Sequence, residues 1–201
     1  MSDDRDAASS PRTRTPLAPL CPLIMIMRHA EKPAESGPPY GVTPNGVRDD
    51  DSLSVRGWQR AGALVAFFAS PPRESKLGTP SVIYAARATR REPSIRTAAT
   101  VLALAERLGT AVTLRKSFAK GQELALAKSA MRRRGAVLIC WDHRHIPALA
   151  RALRLSARAT EKLPAEWNEE RFDLIWRFRR KKDGTYRFRC VPQRLLAGDD
   201  A

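Results

Sequence analysis

Short apolar runs alternate with longer stretches of helical periodicity along this chain from residue 23 onward. The runs have the length of strands that are buried on both faces, and the stretches carry apolar residues on one side, as amphipathic helices do. The predicted strands are 23–27, 81–85, 111–114 and 136–141, and the predicted helices are 54–69, 93–108, 122–134 and 146–155. This alternation predicts an α/β domain.

The end of the chain has a different pattern. Two strand-like segments, 173–180 and 186–191, flank the turn sequence Asp183-Gly184, which is typical of a β-hairpin. We therefore expect a single three-layer domain. Its central, mostly parallel sheet would be flanked by helices, with the C-terminal hairpin at the sheet edge.

The first 20 residues are rich in Ser, Pro, Asp and Arg, and no basic start is followed by an unbroken apolar stretch. This composition predicts a disordered leader rather than a signal peptide, with the folded domain at 21–198. No apolar run is long enough to cross a bilayer, so we expect no membrane partner. The three cysteines are an odd number without CxxC spacing, which indicates reduced thiols and a cytoplasmic protein.

The chain is strongly basic, with 36 Lys and Arg against 21 Asp and Glu and a formal net charge of +15. Nucleic-acid binding is one interpretation of such a balance. The basic residues are, however, spread along the chain, and aromatic residues make up only 6% without a recurrent aromatic-basic pattern for base stacking. We favour a basic surface that attracts small anions and do not expect a nucleic-acid partner.

The candidate chemistry follows two of the predicted strands. Arg28-His29 comes directly after the first strand, and His143 comes shortly after the fourth. Arginine presents a fork of donors to phosphate oxygens, and imidazole is a nucleophile near neutral pH. Ligands of open α/β sheets bind beyond the carboxyl ends of the strands. If the first and fourth strands are neighbours, these residues converge with Arg96 of the second helix on one anion pocket.

The sequence resembles the histidine phosphatase superfamily, also called phosphoglycerate mutase-like, in four motifs. They are the strand end Arg28-His29-Ala30, the helix start Leu53–Ala61 with one extra residue before the alanine, Arg96 followed by Thr100, and the buried strand from Val137 to His143. The motifs occur in consistent order, and together they are specific.

The resemblance implies roles for these residues. His29 would attack phosphorus and form a transient phosphohistidine, while Arg28, Arg96 and His143 would hold the oxygens of the transferring group. The match departs from the family at the second histidine, because an ungapped overlay places Asp142 where histidine is expected. A shift by one residue makes His143 the functional ring, and His145 is the alternative.

The proton donor for the leaving group is open among three carboxyl groups. Glu123 is the first choice, because related enzymes often draw their acid from the connection after the third strand. Glu31 and Asp142 are the alternatives. As plain structural residues, Glu123 would be a first-turn helix carboxylate and Glu31 a surface ion pair.

We expect a phosphatase that hydrolyses a phosphomonoester or related small phosphorylated compound through a phosphohistidine intermediate. The alternatives are phosphoglycerate mutase-like transfer and a non-catalytic phosphate-binding or regulatory module. The family chemistry implies no metal or other cofactor, and the acidic run Asp49-Asp50-Asp51 is more typical of a solvated loop than of a metal site. Specificity is expected to lie in variable loops such as 33–51.

Overall fold

The computed structural model describes residues 21–199, so the predicted leader at 1–20 lies outside the described residues. The strands are β1 (Leu23–Arg28), β2 (Pro80–Ala85), β3 (Thr113–Arg115), β4 (Ala136–Trp141), β5 (Leu174–Arg180) and β6 (Tyr186–Pro192). The helices are α1 (Val55–Ala69), α2 (Arg96–Leu108), α3 (Glu123–Met131), α4 (Ile146–Arg151) and α5 (Ala157–Lys162).

The strands form one sheet in the order β3-β2-β4-β1-β5-β6. The first four strands in this order pair in parallel, whereas β5 runs antiparallel to β1 and β6 antiparallel to β5. The predicted fold class is confirmed, including the C-terminal hairpin at the sheet edge. β1 and β4 are direct neighbours, with Arg28 opposite Trp141, so the segments that follow them leave the sheet side by side.

Both faces of the sheet are covered, and this explains the continuous apolar run of β1. Ile24 and Ile26 pack with α3 and α4 on one face, while Met25 and Met27 pack with α1 and α2 on the other. All four side chains are fully buried. β1 is therefore a rigid base for the residues that follow it.

Two helix starts position residues of the candidate site. α1 begins one residue after the predicted start, because the Ser54 hydroxyl accepts a hydrogen bond from the Gly57 N–H (3.2 Å) and caps the helix. α2 begins at Arg96 rather than at residue 93, after a tight turn at 89–92. Arg96 is thus the first residue of α2 and not one turn inside it.

The other difference in the helices lies after β4. α4 ends at Arg151, four residues before the predicted end, because Leu155 instead pairs with Tyr186 at the outer edge of β6. α5 was not predicted, since its polar sequence carries no apolar stripe. The remaining predicted boundaries lie within three residues of the observed ones.

Two further expectations from the sequence concern reduced cysteines and membrane-spanning segments. Cys21 and Cys140 are buried, Cys190 is exposed, and all three are free thiols. Within residues 21–199, no helix has the length and apolar character needed to cross a membrane.

Candidate active site

The candidate site lies where β1 and β4 end. His29 follows β1, and its backbone N–H donates to the carbonyl of Trp141 at 3.1 Å, which continues the strand pairing by one residue. Asp142 and His143 follow β4. One ligand atom from each of His29, Asp142 and His143 lies within 4.8 Å of the other two. The neighbouring strands β1 and β4 therefore bring His29 and His143 together.

His29 is held in one tautomer. Its Nδ1 lies 2.7 Å from the carbonyl oxygen of Ala30, so Nδ1 carries the proton and donates it, and Nε2 keeps its lone pair. The side chain is buried, and this burial, together with the positive charges of Arg28 and Arg96, lowers the pKa of His29 to about 3. The ring is neutral at physiological pH, as a nitrogen nucleophile must be.

Arg96 is fixed by backbone carbonyls of the preceding loop. Its Nε donates to the carbonyl of Ser52 at 3.2 Å and one Nη to that of Asp50 at 2.6 Å. Thr100, one turn further along α2, donates to the Arg96 carbonyl (2.7 Å) and accepts from the Ala30 N–H (2.9 Å). Thr100 thereby ties the start of α2 to the loop that carries His29.

Arg28 is buried beneath a segment that the sequence analysis did not identify. Its guanidinium carbon lies 3.8 Å from the ring centroid of Phe172, and one Nη donates to the carbonyl of Glu169. Burial lowers the pKa of Arg28 to about 10, so the group stays charged at neutral pH. Its Nε is buried and has no hydrogen-bond partner within residues 21–199. In the sequence, two aromatic residues within the otherwise polar segment 164–173, Trp167 and Phe172, were the signal that this segment packs against the domain.

His143 lies beside His29 with an unfilled hydrogen-bonding capacity. Its Nδ1 is buried without a partner in the described part of the chain and lies 3.7 Å from a carboxylate oxygen of Asp142. Its Nε2 lies 3.7 Å from a carboxylate oxygen of Glu169. Burial and the charge of Arg28 lower the pKa of His143. A hydrogen bond to a phosphoryl oxygen would use this free capacity.

Asp142 is the carboxylate of the cluster. Its oxygens accept from the Arg144 N–H (3.0 Å) and guanidinium (3.3 Å), and the Lys120 ammonium lies 3.5 Å away. Burial acts to raise the pKa of Asp142, but the Arg144 hydrogen bonds and the Lys120 charge hold that pKa well below its usual range. Lys120 also pairs with Glu92, and its contribution to the site was missed by sequence reasoning.

Glu123 and His145 contact each other rather than the histidine pair. A single oxygen of Glu123 accepts from the indole of Trp141 (3.0 Å) and the N–H of Gly121 (3.0 Å), and it lies 3.1 Å from His145 Nδ1. Trp141 packs on the α3–α4 face of the sheet. Among the described contacts, none joins Glu123 to His29, so the structure does not bring this candidate acid to the nucleophile.

Glu31 belongs to a partly buried ion-pair network. Arg60 donates to both of its oxygens (2.8 and 3.1 Å), and Arg56 lies 3.2 Å away. Arg60 is itself buried and also binds Asp199 at 2.6 Å. The network borders a cavity of about 410 Å³ whose wall includes Phe172. Glu31 is thus held between two arginines, next to a space that is large enough for part of a substrate.

The geometry favours an anion over a metal ion. His29, Asp142 and His143 are spaced closely enough to ligate a metal. However, the positive charges of Arg28 and Arg96 act on the His29 ring, and two further cations contact Asp142. In the loop before α1, Asp49 accepts from the Ser52 hydroxyl (2.6 Å) and stabilises the turn. The arrangement is suited to binding a phosphoryl group in front of a neutral imidazole.

Comparisons with known proteins add evidence on the fold. No family model and no curated protein matches the sequence. The putative phosphohistidine phosphatase SixA from Agrobacterium tumefaciens superposes with a TM-score of 0.51 at 15% identity, covering 85% of this chain and 97% of that chain. The putative phosphohistidine phosphatase SixA from Nakamurella multipartitia superposes with a TM-score of 0.50 at 16% identity, covering 87% and 96%. The resemblance predicted from sequence is confirmed at the level of the fold.

Proposed function

We propose that this protein is a phosphatase that hydrolyses a small phosphorylated compound through a phosphohistidine formed on His29. One observation carries the proposal. His29 is neutral and buried, its Nδ1–H is directed to the Ala30 carbonyl, and a ring nitrogen lies within 4.8 Å of a nitrogen of His143. An imidazole held in this way has the free Nε2 lone pair that in-line attack on phosphorus needs.

The first chemical step transfers the phosphoryl group to the protein. His29 Nε2 forms a bond to phosphorus while the bond from phosphorus to the leaving group breaks, and the leaving group departs with the electron pair. Arg28, Arg96 and His143 bind the three equatorial oxygens, where the transition-state charge is spread. The Ala30 carbonyl accepts the Nδ1–H of the resulting cationic ring.

The second step returns the protein to its starting state. Water attacks phosphorus and the N–P bond breaks, which restores neutral His29. Both protons of the water end on the phosphate, so no proton acceptor has to be regenerated. Inorganic phosphate then leaves the pocket.

The site supports leaving groups that depart without a proton. Asp142, the carboxylate of the cluster, has a pKa well below its usual range and is ionised at neutral pH. Glu31 and Glu123 are held by other partners. We therefore propose substrates with aryl, acyl or protonated nitrogen leaving groups. The two structural neighbours carry the name phosphohistidine phosphatase, and imidazole is a leaving group of this kind.

The proposed intermediate can be trapped. Mixing the protein with acetyl phosphate and quenching at alkaline pH preserves a phosphohistidine, which is alkali-stable. Mass spectrometry of the digest should find the phosphoryl group on the peptide that contains His29. If the phosphoryl group is found on a peptide that does not contain His29, the assignment of the nucleophile is wrong.

Arg96→Ala is expected to weaken competitive inhibition by inorganic phosphate by about 10- to 100-fold, because a charge-assisted hydrogen bond to a buried anion is lost. The measurement is the inhibition constant of phosphate with p-nitrophenyl phosphate as substrate. Arg91→Ala is the matched control, because Arg91 is exposed in the loop just before α2. If phosphate inhibition weakens equally in both variants, phosphate is attracted by the overall positive charge of the protein and not by a specific contact with Arg96.

The stability of the protein should depend on pH through His29. The pKa of His29 is about 3 in the folded state and 6.5 ordinarily, so between these values the unfolded state binds one more proton. Stability is therefore lost as the pH falls below about 6.5, by up to about 1.4 kcal/mol per pH unit. Urea unfolding between about pH 6 and pH 4 should give a steeper decline for wild type than for His29→Asn. Parallel declines would mean that the folded protein protonates His29.

A further inference from the structure

Four arginines lie on one face of the C-terminal hairpin, in two cross-strand pairs. Arg177 on β5 is opposite Arg189 on β6, and Arg179 is opposite Arg187. Side chains alternate between the faces of a sheet, so these four residues share one face. We name them the arginine quartet.

The arginine quartet costs the folded state stability. Like charges directly opposite each other on neighbouring strands repel. Arg177 is only 8% exposed, its Nε is buried without a hydrogen-bond partner in residues 21–199, and its pKa is lowered by burial and by Arg179 and Arg189. One Nη of Arg177 donates to the Ser75 carbonyl, but a neutral carbonyl oxygen does not neutralise the positive charge of the quartet.

Carboxylates of the described chain do not neutralise the quartet. Within residues 21–199, none of the four arginines makes an ion pair. Protection of a sheet edge accounts for charges on β6, which is the edge strand. It does not account for Arg177 and Arg179, because β5 is paired on both sides.

The quartet is separate from the candidate active site. β5 runs antiparallel to β1, with Arg177 opposite Met25 and Arg179 opposite Leu23. The site follows the other end of β1, after Arg28. At about 3.3 Å per residue, the quartet lies roughly 10 to 17 Å further along the strand.

The geometry of the quartet selects the kind of anion. Cross-strand partners have Cα atoms about 5 Å apart, and neighbours along one strand are separated by about 7 Å. The aromatic residues of the hairpin (Trp176, Phe178, Tyr186 and Phe188) pack on the opposite face, so no ring of the hairpin is available for stacking nucleic-acid bases. An array of about 5 by 7 Å also reaches fewer phosphates than the roughly six to ten that many DNA-binding proteins contact.

We propose that the arginine quartet is a docking surface for an acidic, extended segment of a partner protein. Acidic side chains at alternate positions of an extended peptide repeat every 7 Å or so, which matches the separation along β5 and β6. The three exposed guanidinium groups, those of Arg179, Arg187 and Arg189, can each bind a carboxylate through two parallel hydrogen bonds. Arg177 is buried and adds its charge from beneath them. Binding removes the repulsion within the quartet, so the folded state is stabilised when the segment is bound.

The test compares two double variants that remove the same charge. R179Q/R187Q removes one exposed pair of the quartet, and R132Q/R134Q removes two exposed arginines after α3. The probe is a fluorescent dodecapeptide of alternating glutamate and serine, and binding is measured by anisotropy at low salt. We expect R179Q/R187Q to weaken binding at least about tenfold and the control less than about twofold.

Two further probes make the outcome specific. A peptide of the same composition with its glutamates in one block should bind more weakly than the alternating peptide. A short DNA duplex should bind more weakly still and respond equally to both double variants. The proposal is overturned if the alternating peptide does not bind wild type, if both variants weaken it equally, or if the duplex binds more tightly and loses affinity only in R179Q/R187Q.

The same variants report on stability without any ligand. R179Q/R187Q should unfold at a higher temperature than wild type, because one repelling pair is gone, and R132Q/R134Q should not. A lower unfolding temperature for R179Q/R187Q would assign the quartet a structural role instead.

Discussion

His29→Ala should abolish phosphatase activity, lowering kcat/KM for p-nitrophenyl phosphate by about 10,000-fold or more. Removing the imidazole removes the covalent route, and nothing else in the cluster can replace it. Asp142 is ionised but bound by Arg144 and Lys120, and in the proposed mechanism His143 is one of the groups that bind the phosphoryl oxygens. The measurement is steady-state hydrolysis, with circular dichroism to show that the variant remains folded.

Two other histidine variants calibrate this result. His143→Ala removes one contact to the transferring group and should cost about 100- to 1,000-fold, the range found for single oxyanion donors. His145→Ala should retain most of the activity, because this ring contacts Glu123 and not His29. If His145→Ala loses activity as fully as His143→Ala, the assignment of the second histidine by position in the cluster is wrong.

The strands of the sheet could be predicted from sequence because each parallel strand is buried on both faces. Such strands appear as uninterrupted apolar runs, as in Leu23–Met27 and Ala136–Trp141. The sequence does not say which strands are neighbours. The pairing of β1 with β4, which brings His29 to His143, joins distant segments of the chain and is seen only in the tertiary structure.

The parts of the site that sequence reasoning missed depend on contacts between distant segments. Lys120 reaches Asp142 across 22 positions of the chain, and Glu169 reaches Arg28 across 141. No local periodicity records such contacts. Glu123 is a case in which the sequence position suggested a role that the observed contacts do not support. Its position after β3 is the one that the sequence resemblance implies for an acid, but its carboxylate accepts from the Trp141 indole.

Hydrolysis should depend strongly on the leaving group. We expect kcat/KM to be at least about 100-fold higher for p-nitrophenyl phosphate and phosphoramidate than for an alkyl phosphate such as benzyl phosphate. General acid catalysis contributes typically 100-fold or more. Alkoxides need that help, whereas nitrophenolate leaves without it and the nitrogen of phosphoramidate is already protonated.

Three single variants identify any proton donor. Glu123→Gln, Glu31→Gln and Asp142→Asn are each measured on p-nitrophenyl phosphate and on benzyl phosphate. A site without a general acid predicts that each variant changes both rates by the same factor. Asp142→Asn should lower both, because Lys120 and Arg144 lose the charge that positions them. If instead Glu123→Gln slows benzyl phosphate selectively, the Glu123 carboxyl reaches the leaving oxygen in the substrate complex. Its contacts with Trp141 and His145 would then have to break when substrate binds.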